Sequence, residues 1–175
     1  GDDFGTHSYG VIIRNGNLLR ARNTTRHMMV VDQAGDMSIL TNRNAKSAKA
    51  MGKELINNGI WQTFEFGPEL VKDGQAVTID PNFDVISTRD TRLEPRTALG
   101  QIGRLHYVFV VVDGRQECYS SGISLQALQE IFVQLGAKTA MNLDGGGSTE
   151  MWFQGNILNK PSGGVERSVS DVIYF

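Results

Sequence analysis

Several kinds of residue are scarce in this chain, and each scarcity excludes a class of protein. Its 175 residues include one cysteine, Cys118, which excludes an internal disulfide and any metal site built from several cysteines. No apolar run approaches the roughly 20 residues that span a bilayer, so no membrane span is expected. The net charge of −2 provides no general basic field, and nucleic acid is therefore not an expected partner.

The remaining composition is that of a globular domain. Apolar residues make up 40% of the chain and charged residues 21%, and the length fits one domain over residues 1–175. The chain begins at Gly1 without an initiator methionine. We therefore expect a fragment whose upstream part lies outside this sequence.

Short β-rich segments separated by turn residues predict three antiparallel hairpins. Residues 9–14 and 17–21 flank Asn15-Gly16, which is the strongest short signal for a two-residue hairpin. The other two pairs are residues 27–31 with 37–40 and residues 70–72 with 75–79. Antiparallel pairing is therefore expected throughout the first half of the chain.

The second half carries a longer strand and the clearest helix. Residues 107–112 form a continuous β-branched and aromatic run, which predicts a central strand buried on both faces. Apolar residues then recur with helical spacing from Leu125 to Leu135, between an N-cap serine and Gly136. Another helix is predicted over about residues 47–58.

These elements define the expected fold class, which is α/β of the mixed α+β kind. A crossover helix between residues 108–112 and a strand at 139–143 would make those strands neighbours. It would also place the glycines after residue 143 at the end of a strand. We expect a single β-rich domain with a central mixed sheet, hairpins, about two helices and a final strand over residues 171–175.

The most informative stretch is Asp144 with the three glycines Gly145, Gly146 and Gly147 and then Ser148. Adjacent glycines adopt backbone conformations that residues with a Cβ resist. Successive N–H groups of such a loop can receive an anion, with the Asp144 carboxylate at the rim. A wide turn without a ligand role is the alternative. A nucleotide P-loop is disfavoured because its lysine and spacing are absent.

Charged residues elsewhere also suit an anionic ligand, although each has a plainer interpretation. Arg96 and Thr97 follow a proline, and a guanidinium there could hold a phosphate through two parallel hydrogen bonds. A lone arginine is more often a surface residue. Asp113 precedes a glycine, as in many turns, and the pair Glu166-Arg167 is by default a solvated face.

Taken together, five segments in this order resemble the phosphodiester glycosidase family. The resemblance is carried by Phe66-Gly67-Pro68-Glu69-Leu70-Val71 with Asp73-Gly74, Pro95-Arg96-Thr97-Ala98-Leu99-Gly100, Val111-Val112-Asp113-Gly114-Arg115, Asn142-Leu143-Asp144-Gly145-Gly146-Gly147-Ser148 and Glu166-Arg167-Ser168-Val169. The start, Gly1-Asp2-Asp3-Phe4, is similar to the N-terminal segment of that family.

The resemblance implies hydrolysis of the glycosyl–phosphate bond of a sugar-1-phosphodiester, with a phosphorylated sugar or glycan as the substrate. We expect the phosphate to be bound by the donors named above and by one more arginine, which gives the set Arg96, Thr97, Gly145, Gly146, Gly147, Ser148 and Arg167. An oxocarbenium-like sugar needs nearby carboxylates. Asp144 is the first choice, Glu166 the second, and Asp2 or Asp113 the third.

Other interpretations stay open at this point. A non-catalytic module that binds phosphorylated cell-envelope glycans or exopolysaccharide would use the same residues without turnover, and a structural domain with a vestigial site would use none. No organic cofactor is implied, and a structural calcium ion at Asp144 is an alternative role for that carboxylate. The family resemblance implies an extracellular or cell-envelope location. An open sheet edge could support a homo-oligomer.

Overall fold

The computed structural model describes residues 10–41, 47–80, 83 and 92–174. Within these residues the chain forms twelve strands and two α-helices. The strands are β1 (Val11–Arg14), β2 (Asn17–Ala21), β3 (His27–Asp32), β4 (Met37–Leu40), β5 (Ile60–Phe66), β6 (Glu69–Lys72), β7 (Gln75–Ala76), β8 (Arg96–Gly103), β9 (His106–Val112), β10 (Thr139–Asn142), β11 (Trp152–Phe153) and β12 (Asn156–Ile157). The helices are α1 (Ala48–Asn57) and α2 (Leu125–Gln134).

Two sheets form the centre of the domain. One has three strands in the order β4-β3-β5, and the other has five in the order β7-β6-β10-β8-β9. Each strand pair within the described residues is antiparallel, including the hairpins β1-β2 and β11-β12. The predicted β-rich α+β class is therefore confirmed, but the central sheet is antiparallel where a mixed sheet was expected.

The three predicted hairpins are confirmed. The strand pairs β1-β2, β3-β4 and β6-β7 are each closed at the expected turn. Asn15 and Gly16 have φ values of 51° and 73°, as a two-residue turn of the hairpin type requires. The local turn residues therefore sufficed to predict these three pairings.

Both predicted helices are confirmed, with the expected serines at their starts. The Ser47 hydroxyl accepts a hydrogen bond from the Ala50 N–H at 3.3 Å, and that of Ser124 accepts one from the Ala127 N–H at 3.1 Å. Gly52 lies within α1 because a Cβ there would come within 2.7 Å of a Leu18 methyl group. Close packing of α1 on β2 therefore explains a glycine that weakens helix propensity.

The prediction that residues 107–112 form the central strand is wrong. This segment is β9, which lies at the edge of the five-stranded sheet and pairs only with β8 among the described residues. The central strand is β10, and β8 lies between β9 and β10, so the expected adjacency is also wrong. Val108 and Val110 pack towards α2, whereas Phe109 packs between the sheets. Apolar contacts on both faces, rather than a central position, explain the apolar run.

Three clusters of buried side chains hold these layers together. Leu125, Leu128 and Phe132 of α2 pack on the five-stranded sheet, and each is fully buried. Met29 of β3 and Met141 of β10 meet between the two sheets. A fully buried side chain of this size contributes roughly 1.5–3 kcal/mol, so both faces of β10 are firmly held. The loop that follows β10 consequently starts from a fixed point.

The final segment is not a strand over its described part. Residues 171–174 show no strand pairing, and Phe175 lies outside the described residues. Side chains attach this segment instead: the Asp171 carboxylate lies 2.5 Å from the Arg14 guanidinium, and Ile173 packs against the cluster between the sheets. The predicted strand over residues 171–175 is therefore wrong for residues 171–174.

Candidate functional site

The start of β8 and the ends of β9 and β10 meet on one side of the five-stranded sheet, where these strands begin or end. Because neighbouring strands are antiparallel, β8 begins at the edge where β9 and β10 end. The backbone joins two of these segments directly. The Leu143 N–H donates to the Thr97 carbonyl at 2.8 Å, and the Gly146 N–H donates to the Pro95 carbonyl at 2.9 Å. The predicted position of the glycine loop, at the C-terminal end of a strand, is confirmed.

The glycine loop, residues 144–148, uses most of its own backbone donors. The Gly145 N–H donates to Oδ1 of Asp144 at 2.9 Å, and the Gly146 N–H is occupied by Pro95. Within the described residues, the Gly147 N–H donates no hydrogen bond. Of the three donors expected to receive an anion, Gly147 is thus the one that a ligand can reach without displacing a protein acceptor.

Each glycine of this loop lies where a Cβ would meet another group. A Cβ on Gly145 would lie 2.5 Å from the carbonyl oxygen of Pro95. One on Gly146, whose φ is +58°, would lie 3.0 Å from Nη1 of Arg115, and one on Gly147 would lie 2.9 Å from Nη1 of Arg167. The three glycines therefore allow the strand entry and two guanidinium groups to pack against the loop.

Arg96 contacts the protein differently from these two arginines. Its side chain is buried, and it donates from Nε to the carbonyl of Ile123 and from Nη2 to that of Arg92, both at 3.3 Å. These contacts attach the start of β8 to the segment before α2. The expectation that Arg96 binds phosphate stays a prediction.

Two predicted hydroxyl ligands are buried near the loop. Neither Thr97 Oγ1 nor Ser148 Oγ has a hydrogen-bond partner among the described residues. Thr97 follows Arg96 directly in β8, and successive strand residues point to opposite faces of a sheet. A small ligand on one face of β8 can therefore contact the side chain of Arg96 or that of Thr97, but not both.

Asp113 acts as an anchor for the chain that follows the glycine loop. Its carboxylate accepts hydrogen bonds from Asn159 Nδ2 and the Tyr119 hydroxyl, both at 2.9 Å, and from the Lys160 N–H at 3.0 Å. Burial alone would raise the pKa of Asp113, but these donors and the positive charge of Lys160 outweigh it and lower the pKa. A carboxylate with so many donors suits a structural role better than attack on a sugar.

Replacing this anchor predicts a pH-dependent loss of stability. We expect Asp113→Asn to lower the free energy of unfolding near neutral pH by about 1–2 kcal/mol, because hydrogen bonds to a charged acceptor are lost. Since the folded-state pKa is lowered, the carboxylate stabilises the fold at neutral pH, and this contribution disappears as the pH falls through that pKa. Urea unfolding of both proteins, near neutral pH and in acid, measures the difference.

Asp73→Asn is the matched control, because Asp73 is exposed in a turn with φ of 51°, a conformation that asparagine also tolerates. The Asp73→Asn variant should have the same free energy of unfolding as the wild type at both pH values. Equal stability of the Asp113 variant and the wild type near neutral pH would contradict the anchoring role.

Two glutamates lie close together beside the loop. Burial, the negative charge of Glu166 and a hydrogen bond with Glu166 raise the pKa of Glu150, in that order of size. Glu166 is exposed, and it directly precedes Arg167, whose guanidinium packs on Gly147. The structure thus places a pair of carboxyl groups, rather than Glu166 alone, next to the glycine loop.

Comparison with known proteins establishes the family. The profile of the phosphodiester glycosidase family matches residues 2–175. The chain belongs to the phosphodiester glycosidase family. It is also 32% identical over 169 residues to the SPbeta prophage-derived uncharacterized protein YomE of Bacillus subtilis (strain 168), a match that covers 94% of this chain and 25% of that protein.

Solved structures share the fold of this phosphodiester glycosidase domain. The catalytic domain of zebrafish N-acetylglucosamine-1-phosphodiester alpha-N-acetylglucosaminidase, auto-inhibited by its pro-peptide, matches with a TM-score of 0.72 and 20% identity, over 93% of this chain and 54% of that one. A hypothetical protein from Synechocystis matches with a TM-score of 0.50 and 19% identity, over 82% of this chain and 32% of that one. The chain therefore spans about half the zebrafish chain and a quarter of YomE.

Three residues around the glycine loop are not among the site residues predicted from the sequence. Glu150 was not singled out, although it follows the glycine loop closely. Arg115 ends the segment Val111-Val112-Asp113-Gly114-Arg115 but has no predicted role, and Glu94, just before Pro95, shows no signal of a site in the sequence. Asp2, a third-choice catalytic residue, lies outside the described residues.

Two features are absent from the part of the chain that the structure describes. Among the described residues, no group of three or more histidine, cysteine, aspartate or glutamate side chains is arranged to hold a metal ion. Within the same residues, no helix combines the length and the apolar character needed to cross a membrane.

Proposed function

We propose that this domain hydrolyses the glycosyl–phosphate bond of a sugar-1-phosphodiester. Membership of the phosphodiester glycosidase family supports the reaction class. The observation that carries the proposal is the pairing of opposite charges around one loop. The guanidinium of Arg167 packs on Gly147, while Asp144 holds the start of the loop and Glu150 and Glu166 lie beside it.

The basic groups around the loop act on the departing phosphate, and the acidic groups act on the sugar. The bond from the anomeric carbon to the phosphate oxygen breaks with its electron pair going to that oxygen, so negative charge grows on the departing phosphomonoester. Arg167 and the free Gly147 N–H are positioned to stabilise that charge. The Asp144 carboxylate stabilises the electron-poor sugar, directly or as a nucleophile, and water supplies the new hydroxyl of the sugar.

Cleavage of a p-nitrophenyl diester of a sugar-1-phosphate in isotopically labelled water tests this proposal. Hydrolysis at the glycosyl bond gives a labelled free sugar and p-nitrophenyl phosphate. Cleavage on the phosphate side instead gives p-nitrophenol and a labelled sugar phosphate, which would contradict a glycosidase. Saturable binding of the diester without any turnover would favour the non-catalytic glycan-binding module. A panel of sugars in this assay defines the preferred substrate.

We further propose that the pair Glu150 and Glu166 holds one proton that the reaction uses. Because the pKa of Glu150 is raised, its protonated form persists to higher pH and is lost as the pH rises through that pKa. We expect Glu150→Gln to remove the alkaline limb of the profile of kcat against pH.

Glu130→Gln is the control for this profile, since Glu130 is exposed on α2 away from the loop. Its profile should match that of the wild type. A Glu150→Gln profile with both limbs unchanged would show that the glutamate pair plays no part in proton transfer. The location outside the cell or in its envelope stays a prediction, as does a homo-oligomer through an open sheet edge.

A further inference from the structure

The guanidinium of Arg115 packs against the glycine loop and keeps two nitrogen donors that bind no described residue. Its Nε donates to Oε2 of Glu94 at 2.5 Å. Nη1 and Nη2 both face Gly146, at 3.0 and 3.3 Å from the point that a Cβ would occupy. Neither Nη atom has an acceptor among the described residues, and 47% of the side chain is exposed. Two parallel donors are therefore available to a ligand.

The fold holds this arginine in an unusual backbone conformation. Arg115 has a φ of +58°, which lies in the left-handed region. Residues other than glycine are uncommon there, because the conformation is strained for a residue with a Cβ. Its neighbour Gly114 packs so closely that a Cβ there would lie 2.7 Å from the backbone nitrogen of Pro95. In this conformation the Arg115 guanidinium lies against Gly146, while 47% of the side chain stays exposed.

Glu94, the partner of Arg115, is itself fixed. Its backbone exchanges two hydrogen bonds with Ile123, at 3.2 and 3.0 Å, just before α2. Its side chain is only 14% exposed. A carboxylate that is largely but not fully buried, on a fixed backbone, orients the guanidinium through Nε and leaves the opposite end of the fork open. This is the geometry of an arginine prepared for bidentate binding of an anion.

We propose that Arg115 binds the non-bridging oxygens of the substrate phosphate through Nη1 and Nη2, and that Glu94 is its positioning residue. The assignment of the anion to a sugar phosphodiester depends on the function proposed above. The Gly147 N–H lies next to Gly146 and contributes a third donor on the same loop. A phosphodiester presents two such oxygens and one negative charge, which match this set.

Arg115 suits this role better than Arg96, the arginine that sequence alone favoured. Arg96 is 7% exposed and donates to two backbone carbonyls, so a ligand would have to compete with the protein for its donors. Arg115 is half exposed, and among the described residues it gives only Nε to a protein acceptor. Accessibility and unused donors, rather than proximity to a proline, identify the anion-binding group.

Titration of the whole chain with inorganic phosphate, followed by calorimetry, tests Arg115 independently of turnover. We expect Arg115→Gln to weaken phosphate binding about 10- to 100-fold, because two hydrogen bonds to a charged group are lost. Arg104→Gln is the matched control. Arg104 is exposed in the turn at the far end of β8, about 25 Å away along an eight-residue strand, and its loss should leave binding unchanged.

Two further variants keep the test decisive if Arg115→Gln folds poorly. Arg115→Lys keeps the positive charge and the contact with Glu94 but loses the fork, so we expect about 3- to 10-fold weaker binding. Glu94→Gln leaves Arg115 present but less well oriented. It should weaken phosphate binding and raise the KM of the diester more than it changes kcat. A merely structural ion pair would lower the melting temperature of these variants without changing phosphate affinity.

The outcomes separate this inference from the proposed function. If Arg115→Gln and Arg115→Lys bind phosphate as the wild type does, or if the wild type binds none, the inference is overturned even when the diester is hydrolysed. If no diester is hydrolysed but phosphate binding depends on Arg115 and Glu94, the anion site stands and the proposed hydrolysis fails. Full support requires both turnover and the loss of binding in the variants.

Discussion

Asp144→Asn is expected to lower kcat for a sugar-1-phosphodiester by a factor on the order of 10³, which is the scale of loss for a group that acts directly in the transition state. Asparagine has the same shape, and its side-chain oxygen can still accept the hydrogen bond from the Gly145 N–H that Asp144 accepts at 2.9 Å. The loop should therefore keep its conformation. What disappears is the negative charge that stabilises the electron-poor sugar.

The measurements are kcat and KM, with the melting temperature and phosphate affinity as checks on the fold. Asp73→Asn is again the matched control, because it makes the same chemical change in an exposed turn between β6 and β7. It should leave all four quantities unchanged. If Asp144→Asn keeps kcat within about tenfold of the wild type, Asp144 only fixes the loop, and the chemistry belongs to Glu166 and Glu150.

Gly145→Ala should cost both stability and activity. The added Cβ would lie 2.5 Å from the carbonyl oxygen of Pro95, a backbone atom that also accepts the Gly146 N–H. Neither partner can move without separating the glycine loop from the start of β8. We expect the free energy of unfolding to fall by about 1–3 kcal/mol, as in other overpacked sites.

The loss of activity in Gly145→Ala should be larger than this loss of stability suggests. A displacement of about 1 Å can cost roughly 100-fold in rate when it moves groups that must be aligned with a substrate. The loop carries Asp144 and supports the guanidiniums of Arg115 and Arg167. We therefore expect kcat/KM to fall by about that factor in protein that is still folded. Urea unfolding and initial rates measure the two effects separately.

Gly103→Ala provides the control for Gly145→Ala. A Cβ at Gly103 would meet nothing within 4 Å, and its φ lies outside the region that disfavours side chains. This variant should match the wild type in stability and activity. Wild-type kinetics in Gly145→Ala would show that the close approach of the loop to Pro95 is unimportant for the site.

The two candidate phosphate-binding arginines show what sequence reasoning can reach and what it cannot. The pattern around Arg96 correctly located the start of β8 at the site edge, because a proline followed by an apolar run is a local signal. It could not show that the Arg96 guanidinium is occupied by the carbonyls of Ile123 and Arg92. The Ile123 carbonyl belongs to a segment 27 residues away in sequence, which only tertiary packing brings close to Arg96.

Asp113 illustrates the same limit for carboxylates. Its position before a glycine indicated a turn, and its place in a family motif made it a catalytic candidate. Its donors, Tyr119, Asn159 and Lys160, come from both sides of the glycine loop in the sequence. No spacing rule relates such distant positions. Only the structure distinguishes this carboxylate from that of Asp144, which accepts a hydrogen bond from the Gly145 N–H of its own loop.

The strand order was the largest error in the predicted fold. Residues 106–112 have the composition of a central strand, yet β9 lies at the sheet edge and the shorter β10 lies at the centre. Composition reports how much apolar surface covers the two faces of a strand. It does not report which strands lie on either side, because the backbone hydrogen bonds of a sheet are the same for every residue type.

The sequence by itself determined the turns at Asn15-Gly16 and Asp73-Gly74, both helices with their serine caps, the family, and the glycine loop at the end of a strand. These features depend on residues within a few positions of one another, where backbone conformation is decided locally. The tertiary structure decided which strand is central and which side chains face the loop. It also decided that Asp113 anchors the chain and that Glu94 orients Arg115, because these relations join segments that meet only after the sheet has formed.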